Sequence, residues 1–483
     1  MKFILPLQTD QYKLNGHFRM LPDDVETVYS YMEARKGATY DATTFFGLQY
    51  YIKRYILPEV TKEDLDFAEK FAKQTNFHDT PFNREGWDYI VNELGGKLPI
   101  RIKAVKEGTT VPTGNVLLTI ENTDDKCAWL TNYIETLLMK LWYPLTLAYR
   151  SNQTSEFLMQ GFDESSDLPR EVAKHLYIDF GYRGVTSEEQ AAIGGAAHAL
   201  SNYGSDTPAA TLLLHEYYNN NVWGEVGEIT YGVPASEHSI GTSKGVDGEF
   251  AYYLGMLQKF PDGIVSVVAD SYNVVRFVEE YTKEMKPVIL ERWMMGKGEI
   301  NRTVLRPDSD RFEGDTPSKQ IIWFHEELDK IFGHTTNSKG KKVLHPAIGV
   351  LYADGISDID IRNMITDLID AGWSTENLAL GQGGGLLNAG DTNTRDTNRF
   401  AIKVSASKQG GEWVDIQKNP LDVTKKSKSG RLLLHKDIDG TYHTLKQDEN
   451  PTLQDELVTV FENGELLVEY TVQDVRDNIN GVV

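Results

Sequence analysis

Between about residues 175 and 385, short β-rich runs alternate with stretches whose apolar residues recur three and four apart. The first run, His175–Ile178, ends in Asp179-Phe180-Gly181-Tyr182-Arg183. Ser187 and Gln190 then form a capping-box pattern that opens an alanine-rich helix reaching to about Leu200. Ile264–Val268 runs into Ala269-Asp270-Ser271, and the next helix carries Val274, Val275, Phe277, Val278 and Tyr281 on one face. Thr303–Leu305 runs into Arg306-Pro307-Asp308-Ser309, ahead of a helix marked by Ile321, Ile322, Phe324, Leu328 and Ile331. Ile348–Leu351 runs into Ala353-Asp354-Gly355, followed by Ile361, Met364, Ile365 and Leu368 at helical spacing. Leu378–Leu380 ends on Gly381-Gln382-Gly383-Gly384-Gly385.

Strand, loop and helix in succession predict parallel strands joined by right-handed crossovers. Five junctions in a row fit an α/β barrel better than an open sheet. Polar residues and glycines gather just after each strand, the edge that carries the active site in parallel α/β folds. The flanks differ. Leu98–Ile102, Asn115–Ile120, Arg431–Leu434 and Leu457–Phe461 read as strands separated by turns such as Thr113-Gly114 and Asn463-Gly464. The expected organisation is a barrel over residues 146–399 and a β-rich α+β domain built from residues 1–145 and 400–483.

Charge changes the picture of partners. Acidic residues number 71 against 49 basic ones, a formal net charge of −22. A protein that tracks nucleic-acid phosphates needs a basic surface, so DNA or RNA is excluded as a main partner. An anionic small substrate must instead be held by local cations. One dense basic run exists, Lys425–Arg431, which alone reads more readily as a solvated loop. A single cysteine, Cys127, excludes an intrachain disulfide and fits a reducing compartment. The apolar run at the N-terminus is too short for a signal-peptide core, and no stretch approaches a membrane span. The expectation is a cytoplasmic protein without a membrane partner.

Candidate chemistry lies at the junctions. Asp270, Asp308 and Asp354 each follow a strand, where acceptor oxygens suit sugar hydroxyls or hydrated Mg²⁺. A single aspartate there is more often a helix cap. The run Gly381–Gly385 can wrap backbone N–H groups around a phosphate, and Arg395, Lys403 and Lys418 follow it. Phe180 offers a ring for a flat heteroaromatic ligand, or a plug for the barrel core. His238, in a polar Ser236-Glu237-His238-Ser239 loop, suits a general base or a phosphoryl acceptor.

Taken in order, these fragments resemble the nicotinamide phosphoribosyltransferases over nearly the whole chain. The matching segments are Thr9–Lys13, Tyr29–Tyr31, Phe46–Tyr50, Trp129–Asn132, Ile134–Thr136, Asp179–Val185, Glu237–Ser239, Asp270–Tyr272, Arg306–Ser309, Asp354-Gly355, Gly383–Leu387 and Ser429–Arg431. The resemblance implies an irregular type II phosphoribosyltransferase barrel with a second β-rich domain. It also implies a homodimer with shared active sites and the substrates nicotinamide and phosphoribosyl pyrophosphate. By that resemblance Phe180 and the partner chain's equivalent of Tyr12 sandwich the pyridine, while Asp206, Ser266 and Arg306 face the carboxamide. Asp308 and Asp354 take the ribose hydroxyls, and Gly383 and Gly384 the 5′-phosphate. Arg35, Arg183, Arg395, Lys403, Lys418 and Lys425 line the pyrophosphate region. His238, supported by Glu237 and Asp270, matches a histidine phosphorylated by ATP. Mg²⁺ is expected to be held mainly through the substrate phosphates. Ala353 stands where the family has glycine, and Ala401 where it has a serine near the pyrophosphate.

Nicotinate phosphoribosyltransferase is the nearest alternative, with a carboxylate substrate that Asp206 would repel. A barrel-shaped binding protein has no need of acid, glycine and basic positions together. A glycosidase barrel would want two carboxylates in acid and nucleophile roles.

Overall fold

The computed structural model of the chain describes residues 4–76, 82–219, 229–296, 300–388, 393–418, 421 and 426–481. The chain divides into two compact units. One comprises Met1–Tyr149, His215–Asn221 and Asp391–Val483; the other comprises Arg150–Leu214 and Val222–Gly390.

In the first unit, strands from both ends of the sequence share one seven-stranded sheet. Its order is Glu412–Asp415, Phe400–Gln409, Val25–Ala34, Val116–Asn122, Ile100–Ala104, Val458–Glu462 and Glu465–Leu466. Alternation fixes the register: Ile100, Ile102 and Ala104 are buried, while Arg101 between them bridges Glu121 at 2.8 Å and Glu462 at 2.6 Å on the two neighbouring strands. The Arg431–Leu434 run does not join this sheet. Leu432–Lys436 pairs with Tyr442–Lys446 as a separate hairpin, because the turn between them closes locally. Cys127 is buried, and burial pushes its thiol up to about 12, so it is an inert core residue.

The second unit is built on six parallel strands: β1 (Tyr177–Asp179), β2 (Gly204–Ser205), β3 (Ile264–Val268), β4 (Arg302–Arg306), β5 (Ile348–Tyr352) and β6 (Leu378–Gln382). Their order is β2-β1-β6-β5-β4-β3, and every pair is parallel. The two edge strands are joined by one irregular segment. Tyr231 bridges Gly204 and Ala235 bridges Ser266, with Tyr231 N–H to Tyr203 O at 2.9 Å and Ser266 N–H to Pro234 O at 2.9 Å. Pro234 has no N–H to give, so the closure is a pair of bridges instead of a full ladder. This is the barrel that the strand repetition predicts, with the irregularity that the family resemblance implies. Its bore is not filled by side chains: a cavity of about 360 Å³ is lined largely by apolar groups such as Ile178, Val233, Val304 and Leu351.

Local differences from the sequence reading have local causes. The first strand begins at Tyr177, two residues late, because Arg170–His175 winds into a 3₁₀ turn closed by Leu176 N–H on Ala173 O. Ser187 caps the helix Glu188–Ala199 through the Gln190 N–H, but the Gln190 side chain meets Thr186 and does not return to the cap. Val275 is exposed while Val274, Phe277, Val278 and Tyr281 are buried. Among the described residues no helix is long and apolar enough to cross a membrane.

Candidate functional site

The barrel's carboxyl-end rim gathers most of the expected residues. Phe180 follows β1, and its N–H donates to Gln382 O at 3.0 Å. Its ring lies over Gly381: a β-carbon there would come within 2.3 Å of Phe180 Cε2, so only glycine leaves room for the ring. Asp179, fully buried, accepts the Gly181 N–H at 2.7 Å and fixes the turn that presents Phe180. Burial pushes the Asp179 carboxyl up to about 6; the Gly181 N–H opposes this and the nearby Asp206 adds to it.

Phe180, Asp206, Ser266 and Arg306 line one small cavity at this end of the bore. Burial raises the Asp206 carboxyl, while Arg306 and Arg183 pull it back down. Arg306 donates to Ser236 O at 3.1 Å. Its Nε and the Ser266 hydroxyl are buried without a hydrogen bond among the described residues. A ring face, a carboxylate, a hydroxyl and a guanidinium in one pocket suit a flat heteroaromatic ligand with one polar substituent.

The three junction aspartates are not helix caps. Asn273, Thr316 and Ser357 cap the helices that follow, each accepting a backbone N–H of the first turn. Asp270, Asp308 and Asp354 are thus released from the structural role that a single aspartate usually fills. Asp270 holds His238 Nε2 at 3.0 Å through Oδ1 and the Ser309 hydroxyl at 2.5 Å through Oδ2. His238 Nδ1 faces Asp308 Oδ2 at 3.9 Å, and Arg306 Nε lies 3.7 Å from Asp308 Oδ1. The Asp354 carboxyl is raised by burial and by Asp308, Asp310 and Asp270, which marks a crowded anionic rim able to accept from hydroxyls or face a cation.

His238 differs from the expected loop position: it opens a short helical turn, His238–Gly241. Glu237 is exposed, and Asp270 is the carboxylate that meets the imidazole, because adjacent side chains on the chain point apart. Beyond β6 the glycine run forms the turn Gly384–Leu387. Gly181 and Gly184 press against it, since a β-carbon on Gly184 would meet Gly384 Cα at 2.9 Å. Gly384 itself faces open space.

The first unit carries its own set of expected residues. The Lys403 ammonium is lowered by burial and by the nearby cations Arg35, Lys418 and Arg395, with Glu135 opposing. Three cations gathered around Lys403 form with it a ready anion site in an acidic protein. Tyr12 is 60% exposed, edge-on to His17 at 5.7 Å. Lys425 lies outside the described residues.

Residues 176–465, more than half the chain, match the model of the "Nicotinate phosphoribosyltransferase (NAPRTase) family", and residues 4–102 match "Nicotinamide phosphoribosyltransferase, N-terminal domain". A nicotinamide phosphoribosyltransferase of Xanthomonas campestris pv. campestris is 41% identical over 480 residues, covering 98% of this chain and 97% of that protein. The chain belongs to the nicotinamide phosphoribosyltransferase family. A second relative of that name, from Acinetobacter baylyi, is 30% identical over 99% of this chain and 97% of its own length. The type II phosphoribosyltransferase fold is shared with a crystal structure of nicotinate-nucleotide pyrophosphorylase from Pyrococcus furiosus, at TM-score 0.55 and 14% identity, covering 99% of this chain and 95% of that one. It is shared equally with human nicotinic acid phosphoribosyltransferase, at TM-score 0.56 and 13% identity, covering 98% and 93%.

Within this member of the nicotinamide phosphoribosyltransferase family, one unit brings together Phe180, Asp206, Ser266 and Arg306, and beside them His238, Asp270 and Asp308. The other unit groups Arg35, Arg395, Lys403 and Lys418. Reading the sequence missed Asp179 and Ser309 as partners at the rim. Asp179 stood in the Asp-Phe-Gly segment and Ser309 directly followed Asp308, so adjacency was the available signal.

Proposed function

We propose that this chain joins nicotinamide to phosphoribosyl pyrophosphate, forming nicotinamide mononucleotide and pyrophosphate in a cytoplasmic salvage route to NAD. One observation carries the choice of base: Asp206 shares the Phe180 cavity with Ser266 and Arg306. A carboxylate there accepts from the amide NH₂ and repels a carboxylate substrate, while Arg306 or Ser266 donates to the amide oxygen. The names of the family relatives agree with this reading.

The C1–O bond to pyrophosphate breaks as the pyridine nitrogen bonds to C1, and the positive charge moves from the sugar to the ring. No proton has to be transferred, so catalysis rests on positioning and on charge neutralisation. Asp308 and Asp354 accept from the ribose hydroxyls, Gly383 and Gly384 cradle the 5′-phosphate, and Arg183 lies near the leaving group. Mg²⁺, carried on the substrate phosphates beside the acidic rim, supplies further neutralisation. In a homodimer, Tyr12 of one chain would close the base pocket of the other, and Arg35, Arg395, Lys403, Lys418 and Lys425 would line the pyrophosphate region.

ATP enters through His238. With Nε2–H donated to Asp270, Nδ1 keeps the lone pair. It attacks the γ-phosphorus, the bond to the ADP oxygen breaks, and ADP leaves. The phosphoryl group then tightens substrate binding without entering the glycosidic step. Incubating the purified chain with nicotinamide, phosphoribosyl pyrophosphate and Mg²⁺ tests the main reading: the mononucleotide and pyrophosphate should accumulate together. Absence of both with nicotinamide would refute it.

A further inference from the structure

We infer that Arg150 is a positioning residue for the phosphate-binding turn, holding that turn and the Asp354 loop in one register. This rests on the assignment of Gly383 and Gly384 to the 5′-phosphate above.

The turn Gly384–Leu387 has two properties that work against a precise phosphate site. Gly383, Gly384 and Gly385 are consecutive, so the backbone has wide conformational freedom to lose. Gly384 and Gly385 are exposed on their outer side, so their confinement has to come from the protein side of the turn. Arg150 supplies the confinement from beneath. Its side chain is 5% exposed, and the guanidinium donates to Leu386 O at 3.1 Å and to Gly385 O at 3.1 Å. The same group binds Asp358 through Nε at 3.2 Å and Nη2 at 3.0 Å. Asp358 is the first residue of the helix Asp358–Asp370, which begins directly after the loop carrying Asp354.

A second side chain completes the strap. Gln382, at the end of β6, donates to Ile356 O at 3.1 Å and to Asp358 Oδ1 at 3.1 Å. Its oxygen accepts from Tyr177 OH at 2.5 Å. The two loops also touch directly, since a β-carbon on Gly385 would meet Ile356 O at 2.9 Å. Leu386 N–H turns back onto Gly383 O at 2.9 Å, and fixing the carbonyls of Gly385 and Leu386 inward leaves the opposite face of the turn, at Gly383 and Gly384, toward a phosphate. Asp358 neutralises the guanidinium, so Arg150 acts through the turn and is not itself a phosphate ligand. A lysine ammonium, a point charge with three donors, cannot reproduce the two-point fork on Asp358 together with both carbonyls.

The test compares wild type with Arg150→Lys and Asp358→Asn. Calorimetric titration with ribose 5-phosphate and, separately, with nicotinamide is run beside KM measurements for both substrates. Arg150→Lys should weaken ribose 5-phosphate binding, and raise the KM for phosphoribosyl pyrophosphate, by about tenfold or more. Nicotinamide binding and KM should stay within about twofold, and Asp358→Asn should show the same split in weaker form. Unchanged ribose 5-phosphate affinity in Arg150→Lys overturns the inference, as does an equal loss for nicotinamide or a wild type that does not bind ribose 5-phosphate. If Arg150→Lys does not fold, Asp358→Asn decides by the same split. Selective loss of ribose 5-phosphate in a chain whose wild type makes no mononucleotide would sustain the positioning role and reject the proposed reaction.

Discussion

His238 Nε2 and Asp270 Oδ1 are 3.0 Å apart, and the other Asp270 oxygen is taken by the Ser309 hydroxyl. Asp270 is thereby held on one side and orients the imidazole on the other. His238→Ala should abolish acid-labile phosphate incorporation from γ-labelled ATP, yet leave slow ATP-independent synthesis at high substrate. Asp270→Asn should reduce incorporation without abolishing it. A His238→Ala chain that still takes up label would remove His238 as the acceptor.

Gly381 tests the ring pocket without touching a polar group. A β-carbon there would lie 2.3 Å from the Phe180 ring, far inside contact distance, so the ring must move. Gly381→Ala should raise the KM for nicotinamide by about tenfold, the scale of losing one good stacking partner. The KM for phosphoribosyl pyrophosphate should change little. An unaltered nicotinamide KM would mean that Phe180 does not stack on the base.

Asp179 carries a pH signature. Its folded carboxyl is raised to about 6 by burial, above the usual value of about 3.9 for an unfolded aspartate. The native state therefore holds a proton between about pH 4 and pH 6 that the unfolded chain has released, so stability falls as pH rises through that window. Asp179→Asn removes the titration while keeping an acceptor for Gly181. Its unfolding free energy relative to wild type should improve from pH 4 to pH 7.5 by up to about 3 kcal/mol. Parallel denaturation curves at both pH values would contradict this.

The basic cluster and Tyr12 lie in one unit and the acidic rim in the other. If two chains share their sites, mixing Tyr12→Ala with Asp308→Ala chains should restore activity, because a hybrid dimer keeps one intact site. A mixture as inactive as either parent, with subunit exchange shown independently, would reject the shared site.

The sequence made the barrel legible where strands are apolar runs ended by polar turns, as at Ile264–Val268 and Ile348–Leu351. It hid β2, because Gly204-Ser205 offers neither length nor apolar residues. The bridging segment near Tyr231 was hidden too, since isolated bridges leave no periodic pattern. The aspartates were visible but ambiguous until Asn273, Thr316 and Ser357 proved to be the caps. Arg150 gave no signal, because its partners lie more than 200 positions away in the chain.

The choice of base is the most direct test of the whole account. Nicotinamide and nicotinate are supplied together at equal concentration with limiting phosphoribosyl pyrophosphate and Mg²⁺, and the two mononucleotides are separated by mass. Wild type should yield nicotinamide mononucleotide in large excess. Asp206→Asn should lower kcat/KM for nicotinamide by about ten- to 150-fold, the loss of one charge-assisted hydrogen bond of roughly 1.5–3 kcal/mol, and relieve the exclusion of nicotinate. Nicotinate mononucleotide as the main wild-type product would contradict the assignment.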